Sequence, residues 1–148
     1  MATMALEDFV LAPRGPARFD CYEHPNRVAS PLGEFTIELA VKVDSRPTPE
    51  MVQAANILVS RFEQDRELIS QMVFEEYKTV CGDRFGAEWL EECGVPMNLS
   101  LSDIQAYLNP RTLSVHDDCS AALYLGPDWD REHGLTYELN QIGWEKVH

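Results

Sequence analysis

Basic residues are scarce in this chain. Lys and Arg number 12 against 25 Asp and Glu in 148 residues, a formal net charge of −13. A surface that acidic repels nucleic-acid phosphate and anionic lipid, which argues against nucleic-acid or membrane partners and favours a basic protein or cations. Long apolar runs are missing too: none approaches the roughly 20 residues of a membrane helix. Met1–Leu11 lacks a basic start and carries Glu7 and Asp8, so it makes a poor secretory signal, and a cytoplasmic protein is expected. The four cysteines, Cys21, Cys81, Cys93 and Cys119, form no C-x-x-C pair and are spaced too widely for a finger-type zinc site. They read as reduced thiols. H-E-x-x-H, G-x-S-x-G and phosphate-loop glycine patterns are all absent. No catalytic residue and no cofactor or metal is therefore assigned.

What is present fits one domain spanning residues 1–148, since this length holds one core more comfortably than two. Residues 1–33 are broken by Pro13, Gly15, Pro16, Pro25, Pro31 and Gly33 and read as an irregular, proline-rich part. Short strands at Phe9–Leu11 and Arg18–Tyr22 around a Pro13–Pro16 turn are the most they would form. From Glu34 to Val43 the pattern alternates strictly. Phe35, Ile37, Leu39, Val41 and Val43 share one face, which predicts a strand covered on one side in an antiparallel sheet.

Thr48 and Pro49 open a helix, as cap and first helical residue. Apolar residues from Met51 to Val80, Leu68 among them, recur at three- and four-residue steps and predict one long helix. Gly82 would close it in a left-handed conformation. Two short helices follow. The first covers Phe85–Cys93, with Phe85, Trp89 and Leu90 inward. The second starts at Ser100 or Ser102 and stops at Asn109-Pro110. The remainder is a strand meander: Thr112–His116, a turn at Asp117-Asp118, a central strand at Cys119–Leu125, then Leu135–Leu139 and Ile142–Val147. The fold class is α+β, an antiparallel sheet with one long and two short helices packed on one face.

The densest chemistry lies in Tyr124–Leu135. Asp128, Asp130 and Glu132 sit at i, i+2 and i+4, as at the start of a calcium loop, but the glycine, Gly134, stands at the seventh place, and Leu139 fills the twelfth, where such a loop needs Glu. With His133 these residues offer an alternative reading as a small enzyme or cation-binding domain. The favoured reading is structural: the carboxylates and His133 bond the backbone of an irregular connection, and Trp129 plugs the edge of the core. Three acidic patches are candidates for partner binding: Asp117 and Asp118; Asp128, Asp130 and Glu132; and Asp83, Glu88, Glu91 and Glu92. The charge alone also admits an acidic decoy that mimics nucleic acid.

Trp129-Asp130-x-Glu132-His133-Gly134-Leu135 resembles a W-D-x-E-H-G-hydrophobic signature found in a family of uncharacterised bacterial domains. There too an alternating strand and a proline-started long helix stand upstream. Trp129, His133 and Gly134 are then structural motif residues. Members are often small, acidic, cytosolic and encoded beside polymorphic toxins, and some look like immunity proteins. The resemblance implies a protein that binds and neutralises a toxin domain, with no catalytic residues of its own.

Overall fold

The computed structural model describes residues 3–13 and 18–147. The turn expected at Pro13–Pro16 falls largely outside them. Eight strands form one sheet: β1 (Val10–Leu11), β2 (Phe19–Glu23), β3 (Val28–Ser30), β4 (Gly33–Lys42), β5 (Pro110–His116), β6 (Ala121–Leu125), β7 (Leu135–Leu139) and β8 (Trp144–Lys146). Their order is β1-β2-β4-β5-β6-β7-β8, with β3 paired to the start of β4. The helices are α1 (Pro49–Gly82), α2 (Gly86–Cys93) and α3 (Leu101–Ile104), the last continued by a 3-10 turn over Gln105–Tyr107. The α+β class is as the sequence predicts. Residues 1–33 are less irregular than expected, because they supply three of the strands. Each is too short for its alternation to stand out among the prolines.

Every pairing is antiparallel except β4 with β5, which run parallel. The chain between them is the helical segment, and a crossover of that kind returns it to the end where β4 began. Phe35, Ile37, Leu39 and Val41 of β4 are fully buried, as are Leu113, Val115 and Leu123 of the neighbouring strands. The register places these residues on one face. Helix α1 covers that face, with Phe62 edge-on to Phe35 at 5.3 Å between centroids. At about 25 cal/mol per Å2, this apolar burial is the main stabilising term.

Helix α1 starts as its sequence dictates. The Thr48 hydroxyl accepts from the Met51 N–H at 3.3 Å, and Pro49 occupies the first turn. It runs unbroken for 34 residues, about 50 Å at 1.5 Å per residue. Two expectations for it are corrected. Leu68 is exposed while Ser70 is buried, its hydroxyl returned to the Arg66 carbonyl at 2.7 Å. Gly82 remains helical and Asp83 ends the helix in extended backbone; the left-handed stop comes one helix later, at Gly94 (φ 73°). Ser100 caps α3 in a capping box with Asp103. Among the described residues no helix is long and apolar enough to cross a membrane.

Candidate protein-binding face

The signature lies in the connection between β6 and β7, and its two aspartates are engaged by neighbouring side chains and by the loop backbone. The Asn109 amide donates to the Gly126 carbonyl at 2.9 Å and to Asp128 Oδ1 at 2.8 Å. Arg131 approaches the same Asp128 oxygen at 3.0 Å, and the Asp128 N–H donates to the Tyr107 carbonyl at 2.7 Å. Asp130 Oδ1 accepts from the His133 N–H at 3.3 Å and lies 3.2 Å from His133 Nδ1. The Asp130 carbonyl accepts from the Gly134 N–H at 2.9 Å. Gly134 has φ 71°, and a Cβ there would come within 3.0 Å of the Leu125 carbonyl oxygen. A glycine is therefore required for the loop to re-enter the sheet.

Trp129 is 4% exposed, its ring 5.5 Å from that of Tyr77 on α1. The Tyr77 hydroxyl in turn donates to the Pro96 carbonyl and accepts from the Leu99 N–H. Burial, ahead of its other neighbours, holds this phenol above the usual tyrosine range. One aromatic pair thus pins the motif loop, the long helix and the segment after α2. Glu132 and His133 make no working pair: His133 turns back to Asp130, and Glu132 and His133 are both exposed. Among the described residues, no group of three His, Cys, Asp or Glu side chains is placed to hold a metal ion.

Helix α2 reverses one expectation. Phe85 and Trp89, read as inward, are 59% and 48% exposed. The inner face of α2 is instead Gly86 and Leu90, both buried. Gly86 lies so close to α1 that a Cβ would meet the Val80 carbonyl oxygen at 1.8 Å. Because Gly86 and Leu90 are four residues apart, Phe85 and Trp89, also four apart, are turned outward. Trp89 is nonetheless fixed, since its Nε1 donates to the Trp129 carbonyl at 2.8 Å. Arg84 stacks over the Phe85 ring at 5.2 Å.

Two open cavities meet at Trp89. One, of about 500 Å3, is lined by Val80, Phe85, Trp129 and Leu135, by Asp83 and Asp130, and by the Glu76–Lys146 ion pair. The other, of about 430 Å3, is bounded by Glu92, Asp128, Asp130, Glu132 and His133, with Arg131 as its one fixed cation. The indole and Asp130 border both. Two patches that look separate in the sequence are therefore joined around an exposed tryptophan. Burial and then the Glu92 carboxylate push the Cys93 thiol up, in keeping with the local negative field. Glu88 and Glu91 are exposed on α2 but border neither cavity. Asp117 and Asp118 stand apart, in the β5–β6 hairpin at the other end of β6, where Asp118 accepts from the Ser120 N–H at 2.9 Å. Nothing in the sequence marks Trp89 as outward: Gly86 opens α2, and only its tertiary contact with α1 selects the buried side.

The chain belongs to the family described as a domain of unknown function, DUF6985, which it matches over residues 15–141. No curated protein matches it, and no solved structure does.

Proposed function

Taking the family membership as premise, we propose that this DUF6985 domain is an immunity-type inhibitor. In this reading it binds a basic toxin domain through the face centred on Trp89 and so neutralises it. The observation that carries the reading is the pairing of a rigid, half-exposed indole with a carboxylate rim. Exposed aromatics held in one rotamer are the anchors that dominate binding energy at protein interfaces. Carboxylates left without an ion pair attract a basic surface from a distance and set its orientation. Glu92 and Glu132 have no such pair among the described residues, while Asp128 is engaged by Arg131. The acidic composition supports the same partner chemistry, and the likeness of the W-D-x-E-H-G signature to immunity-type domains supports the biological role. The cation-binding alternative is less well supported, because Asp128 and Asp130 already serve the loop backbone, Asn109, Arg131 and His133.

Co-expression with the product of the adjacent gene tests it. Restored growth and a co-purifying complex are expected, with both lost in Trp89→Ala. A complex that forms equally well without the indole would overturn the assignment of the face.

A further inference from the structure

Most charged groups around Trp89 answer one another. Asp128 is held by Arg131 at 3.0 Å, and Asp130 lies 3.2 Å from His133. Glu76 pairs with Lys146 at 2.8 Å. The cations that line the two cavities therefore have partners already. Three groups beside them do not. Among the described residues, Glu92 and Glu132 make no ion pair and no side-chain hydrogen bond, and no cation of the chain lies over the Trp89 ring.

All three border the same cavity, of about 430 Å3. Glu92 follows Trp89 by three residues, so both rise from one flank of α2, and Glu132 reaches the cavity from the motif loop. The indole is not free to swing away, because its N–H donates to the Trp129 carbonyl at 2.8 Å. With that edge occupied, the ring surface is what it offers to a ligand. Two observations mark the cavity as negative in spite of Arg131. The last turn of α2 contains Glu91 and Glu92 and no basic residue, so carboxylates stand at the negative end of a helix, where they are disfavoured. The Cys93 thiol lines the cavity and is raised by burial and then by Glu92, and Arg131 opposes this less strongly. A cation entering here relieves the helix end and pairs both glutamates.

The aromatic wall selects the kind of cation. An ammonium is compact, strongly hydrated and bonds as a point charge. A guanidinium is planar, stacks on an aromatic face and presents its N–H donors as a fork. One such group can lie on the indole and donate to carboxylates on two sides, one from α2 and one from the loop. The same kind of stacking is already present at the start of this helix, where the Arg84 guanidinium lies 5.2 Å from the Phe85 ring centroid. We propose that this cavity is an arginine-binding site: an arginine side chain of the partner enters it, lies over Trp89 and is gripped by Glu92 and Glu132. The proposal rests on the inhibitor reading of this face and adds to it the group that the face recognises.

The probe is N-acetyl-arginine amide, titrated into the full chain while the indole N–H resonances are followed by NMR, with Trp89→Phe used to identify the Trp89 signal. Arginine is expected to move that signal saturably and to leave Trp144, bonded to Asp65 on α1, in place. The matching citrulline amide, which keeps the shape and loses the charge, should move neither, and the lysine amide should bind more weakly than arginine. Glu92→Gln/Glu132→Gln keeps the size of both side chains and breaks no ion pair of the folded chain, so it should fold like the parent and bind arginine roughly tenfold more weakly, the sum of two exposed ion pairs. Asp117→Asn, in the far hairpin, should bind like the parent. Formation of the partner complex is measured separately. Arginine binding without a partner complex would overturn the inhibitor reading and keep the guanidinium site. A partner complex whose chain shows no saturable Trp89 shift with arginine, or the same shift with citrulline, or lysine bound as tightly as arginine, would overturn the site and leave the inhibitor reading standing.

Discussion

The indole N–H of Trp89 donates to the main-chain oxygen of Trp129 at 2.8 Å. One tryptophan is nearly half exposed and the other is buried, so a single bond ties the outer surface of α2 to the motif loop. The buried ring sets where the loop sits, and the loop sets the rotamer of the exposed ring.

The two tryptophans should therefore behave oppositely on substitution. Trp129→Ala removes a large ring packed on Tyr77 and is expected to cost about 3–5 kcal/mol, read as a drop in chemical-denaturation stability. Trp89→Ala loses mainly one hydrogen bond, about 1 kcal/mol, yet should cost the partner complex at least about 2 kcal/mol as an interface anchor. Equal stability losses in the two variants would contradict this division.

Much of the framework can be read from residue order. The alternation from Glu34 and the cap Thr48-Pro49 each have a single physical interpretation, and the structure follows them, except that β4 stops at Lys42 and leaves Val43, expected on the buried face, exposed. The orientation of α2 could not be read from periodicity alone. In eight residues Phe85–Trp89 and Gly86–Leu90 are equally good four-residue pairs, and hydrophobicity favours the wrong one. The contact of Gly86 with the Val80 backbone decides it, and that contact is tertiary. Likewise, alternation shows that β4 has a buried face but not that its partner β5 is parallel. The joining of Asp83 and Glu92 to the motif loop is also tertiary, since about 40 residues of helix, turn and strand separate them in the chain.

Gly134 is the second test of the motif. Its positive φ and the 3.0 Å approach to the Leu125 carbonyl oxygen leave little room for a side chain. Gly134→Ala should destabilise by about 1–2 kcal/mol, and Gly143→Ala, where φ is 147° and nothing lies within 4 Å, offers a contrast free of contacts. Full tolerance of alanine at 134 would mean the loop re-enters the sheet differently.

Alkaline pH should weaken the fold through Cys21. Burial and Glu38 raise its thiol from 9.0 to about 11, so the folded state keeps its proton longer than the unfolded chain. The corresponding stability is fully present below about pH 9 and is lost as pH rises to about 11. Cys21→Ser should flatten that part of the stability profile. In a thiol-labelling experiment at pH 8, the exposed Cys119 should react well before Cys21. Faster labelling of Cys21 would place its side chain in a different environment.

The central proposal is that Trp89 and its carboxylate rim form the binding face, and the association rate with a basic toxin domain found to co-purify with the chain tests it most directly. The rate should fall by on the order of tenfold between low and high salt, as exposed charges are screened. Glu92→Lys/Glu132→Lys should slow it by a similar factor at low salt, and Asp117→Lys, at the far hairpin, should leave it near the parent value. A rate independent of salt, or one slowed by Asp117→Lys and not by the Glu92/Glu132 reversal, would contradict the account.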